Sequence, residues 1–235
     1  MRIERRSLLA GATNAQGIVV VIDVLRAFSC SSLMFGYGLR DQVLVRTPQE
    51  ALAFRERDPS YVVAGEMKGV KIEGFDVGNS PKEIIEKGES YFRGKRAALR
   101  STAGTQGVMA ASATASTVIL GSYTTASAIA KYVTHSAGPD SVVTIVSMGL
   151  EGTEKSVEDE RCGDYLEHLL AGTPYDHLAA LWDCLTDPFI AKSLRDERPH
   201  MPKEDVIIAL QRDLFDFVMV GRPADGHVRV SRVDV

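Results

Sequence analysis

The stretch Gly17–Ser32, GIVVVIDVLRAFSCSS, constrains this chain most. Five β-branched apolar residues, Ile18 to Ile22, run without a break and stop on Asp23. Such a run reads as a strand buried on both faces, as in a parallel sheet covered by helices. Arg26 follows three residues later, and Ala27–Tyr37 reads as a helix ending near Gly36 or Gly38. An acid at the end of a buried strand, with a helix leaving it, sits where open α/β sheets place their ligands.

The rest of the chain repeats that alternation. Strands are expected at Gln42–Arg46, Tyr61–Ala64, Gly94–Leu99, Thr117–Leu120 and Val142–Ser147. Helices are expected at Pro48–Arg57, from Ser80 to about Lys87, and at Val108–Ala113 and Thr124–Val133. Thr47-Pro48-Gln49-Glu50 and Ser80-Pro81-Lys82-Glu83 read as capping boxes with proline at the first helical position. Ser156-Val157-Glu158-Asp159 opens an acidic helix to Leu170, with Asp159 in the place of the usual Glu. Residues 1–16 suit a short strand and a polar loop. The segment after 172 reads as mostly helical, with a late strand at Phe215–Val220 and a partly alternating, edge-like strand at His227–Val233. The expected fold class is therefore α/β, a mostly parallel sheet with helices on both faces and a helix-rich C-terminal part. No Pro/Gly/Ser-rich linker divides the 235 residues, so one domain over 1–235 is expected.

Composition narrows the function classes. The net charge of −4 argues against nucleic acid or an anionic membrane as the main partner. No apolar run approaches the ~18 residues of a membrane span, and the basic N-terminus lacks the apolar core of a signal peptide, so the default location is cytoplasmic. Cys30, Cys162 and Cys184 show no CxxC spacing and read as small buried hydrophobes. Five scattered histidines stand away from strand ends, so a catalytic His is not expected. P-loop, GxGxxG, HExxH, GxSxG and Cys-x5-Arg patterns are all absent. The strand–DxD start of aspartate-nucleophile phosphatases also fails here, because Leu25 stands in place of the second acid.

What remains is acids and anion-ready turns. Asp23, Glu66, Asp76 and the pair Glu158/Asp159 lie at strand ends or in the loops that follow. Carboxylates converging on one rim suit Mg²⁺, a hard cation that takes one or two carboxylates plus waters and substrate oxygens. Helix capping is the competing reading, strongest for Asp159. Three turns at apparent helix starts could take an oxyanion: Thr102–Thr105, Asn79-Ser80 and the Ser29–Ser32 hydroxyls. Arg26 and Lys71 would supply positive charge. The Gly-rich connector Met67–Asn79 is long and irregular, as functional loops often are.

The stretches IVVVIDVLRAFS (18–29), AGEMKGVKIEGFDVGNSPKEI (64–84), STAGTQGV (101–108) and SVEDERCGDYL (156–166) resemble the 2-phosphosulfolactate phosphatase family, the ComB-like proteins of coenzyme M biosynthesis. The resemblance runs from about residue 17 to the C-terminus. It implies a Mg²⁺-dependent phosphatase that converts 2-phospho-3-sulfolactate to sulfolactate and phosphate. By motif position Asp23 and Arg26 match VIDVLRA, and Glu66, Lys71, Asp76, Asn79 and Ser80 match GE…K…GFDxGNSP. Thr102, Gly104 and Thr105 match the TTNGT turn, and Glu158 and Asp159 its acidic ED. The chain departs from the pattern at Ala103, where Asn is usual, at Ser101 and at Phe28.

The expected site then has Asp23, Arg26 and Glu66 as catalytic residues. Asp23, Glu66, Glu158 and Asp159 are the pool of metal ligands. Arg26 and the Thr102–Thr105 turn stabilise the phosphoryl charge, and Lys71 and Asn79 hold the sulfonate or carboxylate, with Asp76 and Ser80 beside them. The substrate is a small anionic phosphoester. Two rivals stand beside it: a phosphatase of another such ester, and a non-catalytic anion-binding protein. The edge strand at His227–Val233 leaves a homo-oligomer open.

Overall fold

The computed structural model describes residues 1–235. The first half of the chain contains β1 (Arg2–Ser7), α1 (Leu8–Thr13), β2 (Gly17–Ile22), α2 (Ala27–Gly36), β3 (Asp41–Leu44), α3 (Pro48–Arg57), β4 (Tyr61–Met67), β5 (Val70–Lys71), α4 (Pro81–Lys87) and α5 (Glu89–Phe92). Next come β6 (Arg96–Arg100), α6 (Gly104–Ala111), β7 (Ala115–Gly121), a 3₁₀ turn at Tyr123–Thr125, α7 (Ala126–Ser136) and β8 (Val142–Ser147). The C-terminal part holds α8 (Val157–Ala171), α9 (His177–Thr186), α10 (Pro188–Leu194), α11 (Lys203–Ala209), β9 (Phe217–Ala224) and β10 (His227–Asp234). No helix is long and apolar enough to cross a membrane.

The ten strands form one sheet in the order β1-β8-β2-β7-β9-β10-β3-β6-β4-β5. It holds two parallel blocks, β1-β8-β2-β7 and β3-β6-β4. The β9–β10 hairpin bridges them, antiparallel to β7 on one side and to β3 on the other. This overturns the expected edge strand at His227–Val233. β10 pairs with β9 along its whole length and with β3 at Val228–Val230, so it lies inside the sheet. Its partial alternation comes from a strand covered near its start and exposed near its end.

The β-branched run of β2 explains its central place. Val19 and Val21 face a core shared with α2 and α6, while Ile18, Val20 and Ile22 face a second core under α7 and α8. The other block behaves likewise. Leu44, Val62, Ala97 and Leu99 join the shared core, and Val43, Val63 and Ala98 pack under α3. Helices α2 and α6 thus lie between the two blocks. Three antiparallel pairings separate the blocks, so their strands run in opposite senses along the sheet. Twist over the five steps from β2 to β6, roughly 100–125° in total, swings the second block round. The C-terminal ends of β2 and β6 then meet, and the site forms where they do.

Local signals act as read in some places and not in others. Thr47 and Glu50 form the full reciprocal capping box of α3. Ser80 caps α4, but Glu83 turns away to Gly78 and Lys71. The Ser29, Ser31 and Ser32 hydroxyls do not face a ligand. They are buried in α2 and donate to the carbonyls of Val24, Ala27 and Ser29.

Val230 is fully buried in the shared core, opposite Gln42 and Gly221. Val230→Ala is expected to cost about 2 kcal/mol, read as a lower urea midpoint at unchanged slope. A change below about 0.5 kcal/mol, as for a surface position, would mean that β10 lies at an edge after all.

Candidate active site

The site is built on the turn between β6 and α6. The Thr102 N–H donates to Glu66 Oε1 (2.5 Å) and its hydroxyl to Glu66 Oε2 (3.0 Å). Two residues on, the Gly104 N–H donates to Asp23 Oδ2 (2.9 Å). Asp23 Oδ1 accepts from the Ala27 N–H at the start of α2 (3.0 Å), and Glu66 Oε2 also accepts from the Gly69 N–H (2.6 Å). One turn thereby holds carboxylates from both blocks side by side. A Cβ at position 104 would collide with the Asp23 carboxylate, so the contact requires glycine. The Ala103 N–H between the two donors has no partner within the chain, and Ala103 lines the cavity wall.

This arrangement corrects the simple oxyanion reading of Thr102–Thr105. Two of the turn's N–H groups already hold the protein's own carboxylates. Thr105 is fully buried and bonded to Ser101. Asp23 keeps its charge at a cost. Burial pushes the Asp23 carboxyl up to about 6, and the nearby Glu66 charge adds to the rise, against the N–H bonds from Ala27 and Gly104.

Arg26 lines the same cavity but is largely engaged by the protein. Its guanidinium donates to the carbonyls of His200 (2.6 Å) and Gly69 (2.7 Å) and to Asp205 Oδ2 (2.9 Å), three of its five N–H groups. Asp205 is fully buried and also accepts from Ser80 Oγ (2.7 Å) and the Lys82 N–H (2.9 Å). Sequence reasoning missed Asp205. In the first turn of α11, after Pro202, it looks like any helix-start acid.

The cavity measures about 440 Å³. Of the expected site residues, Asp23, Arg26, Glu66, Asn79 and Thr102 line it. The Asn79 side chain is 95% buried, and its amide oxygen has no hydrogen-bond partner. An orphaned polar atom in a cavity wall marks a position for a ligand or water. Others are brought near but not in. Lys71 stands outside, with its ammonium on Glu83 (2.7 Å) and on the Asp76 carbonyl. Asp76 holds the Val63 N–H and Arg55, bracing the connector against β4 and α3. Ser80 caps α4 and bonds Asp205.

Glu158 and Asp159 do not line the cavity, which removes them from the pool of metal ligands that face it. The capping-box reading of Asp159 also fails, since Ser156 makes no cap bond. Asp159 instead accepts the Val24 N–H and the Gly149 N–H, both at 2.8 Å, and stitches the loop after β8 to the turn after β2. Burial, together with the charges of Asp187 and Asp23, pushes Glu158 up to about 7.

Residues outside the expected set complete the walls. Lys68 and Gly69 come from the β4–β5 turn, and Phe189, Arg198 and His200 from the C-terminal helices and their connection. Lys68 and Gly69 fall in the Met67–Asn79 connector already marked as a functional loop, whereas lone residues such as Phe189, Arg198 and His200 carry no local pattern. His200 brings the imidazole that was not expected. Burial, with Arg26 and Arg198 nearby, lowers its pKa and favours the neutral ring.

A protein-family model described as 2-phosphosulpholactate phosphatase matches residues 5–223. A relative from Bacillus subtilis, named probable 2-phosphosulfolactate phosphatase, is 31% identical over 90% of this chain and 89% of its own length. One from Caldanaerobacter subterraneus with the same name is 36% identical over 91% and 90%. A third so named, from Thermus thermophilus, is 33% identical over 57% of this chain and 54% of its own.

Glu158 yields a sharp expectation for stability. Folding raises its pKa from the ordinary 4.5 to about 7, so the folded state holds this proton more tightly than the unfolded chain. The associated stability is present below the unfolded value and is lost as pH rises through the folded one. Glu158→Gln removes that titration. In urea melts with EDTA, the variant should exceed the parent by roughly 3 kcal/mol at pH 8 and by less than about 0.5 kcal/mol at pH 4.5. Equal differences at both pH values would disprove the assignment.

Proposed function

The chain belongs to the 2-phosphosulpholactate phosphatase family, and from that premise we propose that it hydrolyses 2-phospho-3-sulfolactate to 3-sulfolactate and phosphate, the step type of coenzyme M biosynthesis, in the cytoplasm. The reaction class is phosphoric monoester hydrolysis. Water oxygen bonds to phosphorus, the ester P–O bond breaks, and the leaving alkoxide takes up a proton. The observation that carries this reading is the pairing of Asp23 and Glu66 on one turn, beside a free N–H and an unpartnered amide.

The donor set fits Mg²⁺. Asp23 and Glu66 are nearly buried, face the same cavity and form no salt bridge, so their charges call for a cation. No group of three or more acids, imidazoles or thiols is close enough to cage a metal. Two carboxylates are the number Mg²⁺ commonly takes from a protein, with waters and substrate oxygens as its other ligands. Bound there, Mg²⁺ would neutralise the phosphoryl oxygens and lower the pKa of a water. The chain's own groups do the rest. Thr102, Gly104, Ala27 and Gly69 fix both carboxylates through backbone N–H groups, so no side chain must reorganise as charge develops. The free Ala103 N–H is offered to a phosphoryl oxygen. The Asn79 amide orients the substrate, and Arg26 adds positive potential behind the turn.

Phosphate release from 2-phospho-3-sulfolactate tests the proposal. Turnover should vanish with EDTA and return with Mg²⁺, and Asp23→Asn should lower kcat by on the order of 10³-fold or more. Metal-independent turnover, or full activity in that variant, would refute it. The acid limb has a defined position. Asp23 takes its proton as pH falls through about 6, so activity at low Mg²⁺ should fall there. Proton and metal compete for one carboxylate, so excess Mg²⁺ should move the limb to lower pH.

A further inference from the structure

We propose that Lys68 and Arg198 form a second anion subsite, which takes the sulfonate of the substrate while the phosphate lies at Asp23 and Glu66. This rests on the phosphatase reading and adds to it the residues that select the sulfolactate half of the substrate. Three cationic side chains other than His200 line the cavity: Arg26, Lys68 and Arg198. The charge of Arg26 is already balanced by buried Asp205 at 2.9 Å. Neither Lys68 nor Arg198 makes an ion pair or a side-chain hydrogen bond, whereas Lys71, Arg5, Arg55, Arg96 and Arg161 all do.

The Arg198 guanidinium and the Lys68 backbone are both anchored. Arg198 lies with its guanidinium 3.7 Å from the centre of the Phe189 ring, which covers one face and leaves the N–H edge for an anion. Its backbone closes a turn to Met201, and the neighbouring His200 carbonyl is bonded by Arg26. Lys68 opens the two-residue β4–β5 turn, with φ of 53° at Lys68 and 81° at Gly69. Positive φ at both positions is the mark of a tight hairpin turn. That turn is tied to the acid pair, since Lys68 N–H donates to Thr102 Oγ1 (3.1 Å) and Gly69 N–H to Glu66 (2.6 Å). The Lys68 backbone is thus tied to the acid pair, and both free positive charges line the cavity that the two carboxylates face. A sulfonate stays ionised at any working pH and presents three oxygens, enough for a guanidinium edge and an ammonium together.

The test compares 2-phospho-3-sulfolactate with 2-phospholactate, which lacks the sulfonate, using the Mg²⁺-loaded protein. The parent should prefer the sulfonated ester by about 100-fold in kcat/KM. Lys68→Met with Arg198→Met should cut that preference below about tenfold, mainly through KM. Arg198→Lys should restore part of it. A double variant with unchanged circular dichroism and the parent's full preference would overturn the subsite while leaving the phosphatase reading intact. Calorimetry with 3-sulfolactate separates the two ideas. A parent that binds it at least about tenfold more tightly than the double variant supports the subsite even if no ester is hydrolysed. Absent binding, or equal binding by both proteins, overturns it.

Discussion

Two carboxylates hung from one turn set the terms for the rest of this structure. Asp23 and Glu66 repel each other and resist burial, yet neither pairs with a cation of the chain. What holds them is backbone. Four N–H groups, from Ala27, Gly69, Thr102 and Gly104, reach their oxygens from three separate segments. Hydrogen bonds to the charged form are the means of keeping a buried acid ionised when no counter-charge is present. They lower the proton affinity of Asp23 without fully cancelling burial. An acid pair left short of full compensation is where a cation would be stabilised.

The second constraint is the Arg26–Asp205 pair, which brings the C-terminal helices into the site. Asp205 reaches from α11 to the turn after β2 and to the start of α4. Arg26 reaches back to the β4–β5 turn and to His200. Removing one partner of such a buried pair leaves the other uncompensated, at a cost of about 3–5 kcal/mol. The walls bearing Arg198 and His200 therefore form together with the floor. The helix-rich part after residue 172 is a wall of the cavity.

Much of the scaffold was legible because its signals are local. The β-branched run of β2, the apolar strand at Val142–Ser147 and the capping box before α3 depend only on near neighbours, and their boundaries match the structure. The place of β9 and β10 was not legible. A strand in the middle of a sheet differs from one at the edge only through partners far away in sequence. The site divides in the same way. Asp23 and Glu66 could be found because each ends an apolar strand. The Ser29–Ser32 hydroxyls face backbone carbonyls rather than a ligand, and two N–H groups of the Thr102–Thr105 turn hold the chain's own acids, because internal acceptors compete for such donors. Lys68 lies in a connector that stood out by its irregularity, but Asp205 and Arg198 have no local mark, since a charge in a loop or a first helical turn reads alike whether it faces water or a cavity.

Ala103 shows how the wall absorbs a departure from the family motif. An Asn at that position would bring an amide donor to the cavity, and alanine removes it. The backbone N–H of the same residue remains free, because its neighbours on either side hold the acids. Asn79, nearly buried on the start of α4, presents an amide oxygen that nothing in the chain satisfies. The donor that the turn keeps is the one fixed by backbone geometry. The side-chain amide lining the cavity comes from another loop, which Asp205 clamps through Ser80. Polar groups at this cavity are therefore set by how the two blocks meet, and a single side chain of the motif can change while the acid pair and its N–H frame stay in place.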